Sequence, residues 1–164
     1  MVFILANDGR DDDHPAAERA FERYESYLTQ NKAVFPPRAY ALATSDWFYN
    51  PRDHRCPHDA RLEWLQMVEN PDADPHRRTC SLSFRLMGAY QDGYIEISYP
   101  TVYAYSLQAL SIDAGSHGDW RYDEFRISER GHLVHEIEWA YQTECRAFVW
   151  TIEADDVVFK WNPK

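Results

Sequence analysis

From Arg61 onward one pattern recurs: short segments in which apolar and polar residues alternate, divided by turn-forming residues. "RLEWLQMV", "TCSLSFRLM", "GYIEISY", "VYAYSL", "WRYDEFRIS", "HLVHEIEWA", "CRAFVWTIE" and "VVFKW" give eight such segments. Successive side chains of a strand point to opposite faces, so alternation builds one-sided apolar faces. Leu82, Phe84 and Leu86 fall on one face, as do Ile95, Ile97 and Tyr99. Leu133, His135, Ile137 and Trp139 form another set, and Phe148, Trp150 and Ile152 a further one. In "VYAYSL", Tyr103, Tyr105 and Leu107 oppose Val102 and Ala104. Turns fit at Asp92-Gly93, Gly115 to Gly118, Glu129 to Gly131 and Asp155-Asp156. With no helical spacing between the segments, antiparallel pairing follows, as a meander or a curved half-barrel.

The chain before Arg61 reads differently. Ala17, Ala20, Phe21, Tyr24, Tyr27 and Leu28 follow helical spacing, with Glu18, Arg19, Glu22, Arg23 and Glu25 between them. Asp11, Asp12 and Asp13 ahead of Pro15 are a helix-start signal. A second, shorter helix is expected from Pro37 to about Asp46, with Ala39, Ala43 and Trp47 at fourfold spacing and Pro51 beyond its end. "VFIL" near the start reads as a short strand closed by Asn7, Asp8 and Gly9. The expected fold class is α+β: one or two N-terminal helices, then a large antiparallel β-sheet that they cover. One domain, 1–164, accommodates this, with a helical part at about 14–48 and a sheet part at about 60–162. A chain of this length buries about 70% of its unfolded surface and needs no staples. The stretch "ENPDADPHRR" reads as an exposed loop.

Charge narrows the partners. Seventeen basic residues against 27 acidic ones give −10 at neutral pH. Such a field repels nucleic-acid backbones and steers a basic protein partner, so a basic partner and no nucleic acid are expected. The apolar run after Met1 is too short for a signal peptide or a membrane helix, and Cys56, Cys80 and Cys145 are odd in number and widely spaced. A cytoplasmic protein with reduced thiols and no membrane is the expectation.

Two stretches hold residues that carry chemistry. In "NPRDHRCPHDARLEW", His54, Cys56 and His58 fall on alternate positions, with Asp53 and Asp59 beside them. Histidine and cysteine are preferred zinc ligands, which raises a small metal-dependent hydrolase as one reading. Zinc patterns use wider spacing and a second ligand pair, so a polar loop leading into the first strand is the simpler reading, with no cofactor. Cys56 is the one thiol in a histidine-rich setting, the kind of neighbourhood that activates a thiol. Cys80 and Cys145 read as packing within strands.

The second stretch, residues 115 to 139, carries Asp123, Glu124, His135, Glu136 and Glu138 on two adjacent strands. A hairpin turning at Glu129 to Gly131 would bring His135 near Asp123 or Glu124, the pairing that general acid–base work uses. His135 shares its face with Leu133, Ile137 and Trp139, which favours a hydrogen-bonded core histidine. The aromatic surplus, Tyr49, Tyr99, Trp120 and Tyr122 among it, suits an interface, an arginine-rich surface, or a sugar held by a ligand-binding half-barrel. The residues expected to contact a partner are Trp120, Tyr122, Asp123, Glu124, Glu136 and Glu138. No nucleophile elbow and no phosphate-cradling glycine loop is present.

"SHGDWRYDEF", "HEIEWA" and "WTIEADDVVFKW", with "DWFYNPRDHRCPHDARLEWL" upstream, resemble small uncharacterised acidic bacterial proteins, some of them immunity proteins that neutralise secreted toxins. The resemblance spans residues 46 to 161 and lies in general texture. It implies a non-enzymatic binding role and carries no site residue.

Overall fold

The alternating segments resolve into seven strands, not eight. The computed structural model describes residues 2–5, 14–71, 74, 76–108, 116–141 and 147–164. Two helices, α1 (His14–Asn31) and α2 (Pro37–Ala43), precede β1 (Arg61–Pro71), β2 (Arg78–Met87), β3 (Gly93–Leu107), β4 (Asp119–Ile127), β5 (Leu133–Ala140), β6 (Ala147–Ala154) and β7 (Val158–Pro163). All pairings are antiparallel. The strands follow one another in the order β1, β2, β3, β6, β5, β4, and β4 returns to β1 through the single pair Arg61 and Asp119. The sheet is thus a curved near-ring, with β7 alongside the first half of β3.

Two segments read as separate strands are one. Between Tyr99 and Val102 the apolar phase changes, which breaks the sequence alternation. The register shift opposite Cys80 and Leu82 absorbs that extra residue. Pro100 sits at this point, where β3 passes from β7, last paired at Ser98, to β6, first paired at Val102. A residue without an N–H is tolerated there because no ladder bond falls due. The other expected sets hold: Phe84 faces Ile97, His135 faces Ile152 and Trp139 faces Phe148, all buried within the ring.

The helices cover β4, the strand left with a free edge. Ala20, Tyr24 and Leu28 bury the apolar face of α1, with Phe21 and Tyr27 packed beside them. Beyond Trp120 no strand pairs with the free edge of β4 among the described residues. The Tyr24 hydroxyl accepts from Phe125 N–H at 2.7 Å and donates to Phe125 C=O at 3.1 Å, and the Tyr27 hydroxyl accepts from Ile127 N–H at 2.9 Å. Tyrosine hydroxyls thus stand in for a strand partner and satisfy groups that burial would otherwise penalise.

Helix α2 is shorter than the spacing implied, ending at Ala43, and Ala39 and Ala43 are buried. No side chain from its own N-terminus caps it. Asp156, in the turn between β6 and β7, supplies the cap by accepting from Ala39 N–H at 3.0 Å and Arg38 N–H at 3.3 Å.

The segment read as a strand near the start is a bend at residues 3–5, its backbone tied to a side chain instead of a ladder. Its closing residues 7–9, the acidic run 11–13, Gly115 and Cys145 lie outside the described residues. The turn before β4 keeps Gly118 at φ +77°, where an added Cβ would stand 2.5 Å from Ala140 C=O. Only glycine fits there.

Candidate functional site

Pairing of β4 with β5 sets Phe125 opposite His135, which places Asp123 diagonally across the same face. His135 Nε2 lies 3.1 Å from Asp123 Oδ2, and Nδ1 lies 2.5 Å from the Tyr99 hydroxyl on β3. Burial pushes the Tyr99 phenol well above its ordinary pKa, and the Asp123 charge adds to this. Tyr99 therefore keeps its O–H, and in the tautomer that receives this proton at Nδ1 the ring carries its own on Nε2, facing Asp123. The imidazole stacks on Phe125 with centroids 4.0 Å apart and has no exposed surface.

Asp123 collects further donors. The Trp120 indole N–H donates to Oδ1 at 3.1 Å, and the Tyr49 hydroxyl lies 3.5 Å from Oδ2. A register shift between Trp120 and Tyr122 turns Trp120 onto the same side as Asp123. Burial, then the Asp123 charge, raises the Tyr49 phenol well above its usual range, so it too stays protonated. Both His135 nitrogens are occupied and the ring is enclosed. The arrangement holds a carboxylate in place and leaves the imidazole no route to a substrate.

The six residues expected to meet a partner do not form one surface. Trp120, Asp123 and Glu124 are interior, Glu138 is 7% exposed, and only Tyr122 and Glu136 are half-buried. On β4, Trp120, Asp123, Glu124 and Phe125 are buried while Arg121, Tyr122 and Arg126 keep part of their surface, so alternation alone does not sort its residues between core and solvent. Glu124 anchors the N-terminal segment, accepting from Phe3 N–H at 2.9 Å, Ile4 N–H at 2.7 Å and Leu5 N–H at 3.3 Å. Burial raises its carboxyl above the ordinary value, opposed by those N–H groups. Glu136 pairs with Arg126 at 2.7 Å.

The loop before β1 sends its three expected ligands apart. His54 pairs with Asp92 and stacks on Tyr90 at 4.1 Å. Cys56 turns inward and donates to Phe48 C=O at 3.0 Å, its thiol pushed up to about 12 by burial. The thiol is thus the reverse of activated. His58 lies edge-on to Tyr122 at 5.5 Å, with Nδ1 3.2 Å from Asp59 Oδ2 but without hydrogen-bond geometry. Asp53 holds Arg55 at 2.8 Å, and that guanidinium lowers its carboxyl to about 2. Among the described residues no three His, Cys, Asp or Glu side chains converge as metal ligands would.

What this loop does build is a pocket. Residues 48–58 pack over β4 and leave a cavity of about 220 Å³, walled by Phe21, Phe48, Tyr49, Cys56, Trp120 and Tyr122, with Asp123, His58 and Arg121 also lining it. A groove of about 460 Å³ adjoins it through Phe21 and Tyr49 and includes Glu25 and Asp46. A third depression, about 230 Å³, adjoins through His58, Arg121 and Tyr122 and includes Asp59, Asp119 and Tyr141. Sequence reasoning counted Tyr49 and Tyr99 as surplus aromatics and did not tie them to Asp123. Both come from elements distant in the chain, and no local pattern joins them to β4.

No family model, curated protein or solved structure matches this chain.

Proposed function

We propose that this protein binds a basic protein partner without chemically transforming it, a neutralised toxin being the most concrete version. The observation that carries the reading is the run of three adjoining depressions that leads from α1 across the loop of residues 48–59 to β4 and the end of β5. Glu25, Asp46, Asp59, Asp119 and Asp123 line them with Tyr24, Tyr49, Tyr122 and Tyr141, and Arg121 is the one lysine or arginine among the described lining residues. Acidic groups set among aromatic faces suit lysine- and arginine-rich surfaces, because the aromatics add cation–π attraction to the charge. The net charge of −10 favours encounter with the same class of partner. The enclosed His135 supports a role in holding, since a proton-transfer catalyst needs reach to its substrate.

The test uses the protein as bait in extracts of its own source at low and moderate salt. The expected result is one basic protein retained by the wild type and lost by a Glu25→Lys, Asp46→Lys double variant that folds alike. Retention should weaken with salt, as screened charges require. Recovery of no basic partner, or equal retention by the variant, overturns the reading.

A further inference from the structure

The pocket beneath residues 48–58 has a chemistry narrower than the surrounding trough. Asp123 is 2% exposed and pairs with no lysine or arginine among the described residues. Among the described residues its one ion-pair contact is His135 Nε2 at 3.1 Å, and the Tyr49 hydroxyl stands 3.5 Å away. A carboxylate held ionised away from water is costly unless donors or a cation offset it. Trp120, His135 and Tyr49 supply donors, yet among the described residues Oδ1 accepts only the Trp120 indole. A carboxylate oxygen accepts two hydrogen bonds, so capacity remains on the atom.

The surroundings select among cations. Phe48, Tyr49, Trp120 and Tyr122 present aromatic surface around the carboxylate. A guanidinium is planar, weakly hydrated and stacks on such faces, whereas an ammonium gives up a strong hydration shell. Size narrows the choice again. A cavity of about 220 Å³ falls below the range of about 300–1,000 Å³ in which drug-sized ligands sit. It suits one side chain better than a whole metabolite. Arg121 is also in the lining, where its like charge opposes an incoming cation and sets a limit on affinity.

We infer that the pocket receives a guanidinium group, carried on an arginine side chain, which stacks between the aromatic walls and hydrogen-bonds Asp123. The inference rests on the basic-partner reading only for the source of that arginine.

The probe is arginine capped at both ends, titrated against the full chain while the assigned Trp120 indole N–H resonance is followed by NMR. Capped citrulline, the neutral isostere, is the control. The expected result is a saturable shift of the Trp120 signal with arginine and none with citrulline. Asp123→Asn should weaken binding by about tenfold or more, as loss of a hydrogen bond to a charged group implies. Arg121→Gln should tighten it by removing the like charge, and a gain in affinity cannot come from misfolding. Equal response to citrulline, or no Trp120 response at all, overturns the inference. Partner retention that fails while capped arginine still binds removes the partner reading and leaves the pocket assignment standing. Partner retention unchanged by Asp123→Asn, with no response to capped arginine, does the reverse.

Discussion

β5 and β1 are both antiparallel strands with alternating sequences, yet one is enclosed and the other open. In β5 every residue except Glu136 is buried, including His135 and Glu138. In β1 Trp64, Leu65, Met67 and Val68 are each 37–38% exposed, on both faces. The register with β2 shows how this arises. Leu65 and Met67 stand opposite the buried Phe84 and Leu82 and so face the interior, while Trp64 and Val68 face outward. β5 has a neighbour along each edge, and β1 has one along β2 and a single pair to β4. Burial here is set by position in the ring. Alternation names a strand but not what covers it.

The widest contrast lies in stability. Trp139→Ala, within the closed side, should cost about 3–5 kcal/mol, the usual loss for a buried large aromatic. Trp64→Ala should cost about 1 kcal/mol or less, as half-exposed positions do. Urea denaturation of both variants measures this, and equal losses would erase the distinction between the two sides.

A smaller effect tests the free edge of β4. Tyr24→Phe keeps the ring and removes the hydroxyl that both accepts from and donates to Phe125, leaving a buried N–H and C=O unpaired. The expected loss is about 1–3 kcal/mol. Tyr103→Phe, on the exposed end of β3, should leave the denaturation midpoint where it was. Loss at Tyr103 matching that at Tyr24 would show that hydroxyl removal, not edge capping, was being measured.

Thiol chemistry sharpens the same division without altering the chain. Cys80 is half-buried on β2, whereas Cys56 is buried with its thiol raised to about 12. Iodoacetamide at about pH 8 should modify Cys80 in the native protein and reach Cys56 only with denaturant, because the thiolate is the reacting form. Peptide mass spectrometry reads the two sites separately. Native-state labelling of Cys56 at the rate of Cys80 would count against an enclosed loop.

The least effect comes from protons. The Glu124 carboxyl titrates above its unfolded value, burial being the leading cause. A group whose folded pKa is raised contributes stability that is full below the unfolded pKa and lost as pH rises through the folded one. The stability of wild type relative to Glu124→Gln should therefore improve as pH falls through that window. Urea midpoints at several pH values give the comparison, and a constant difference would remove Glu124 from the account.

Much of the sheet was legible because a period of two leaves its mark on the residues themselves. Leu133, His135, Ile137 and Trp139 could be assigned to one face, and the turn at Gly131 narrowed the partner of His135 to Asp123 or Glu124, between which the register decides. β3 was not legible as one strand, because a bulge changes the apolar phase and Pro100 mimics a stop. "VFIL" misled for another reason: its N–H groups satisfy themselves on Glu124, which stands 119 to 121 positions away. The pocket escaped notice on the same ground. Tyr49, Cys56 and Asp123 meet through tertiary packing, and nothing local to any of them records the others.

The tyrosines that close the free edge of β4 also bear on the order in which this chain is made. A ribosome delivers α1 roughly a hundred residues before Phe125 and Ile127, the groups that Tyr24 and Tyr27 later cover. Nascent chains acquire structure from the N-terminal side, and an unpaired strand edge is where they stick to one another. Here the cover is synthesised ahead of the edge it protects. A circular permutant that places α1 after β7 would emerge with β4 bare, and its yield of soluble protein would measure what that sequence of events is worth.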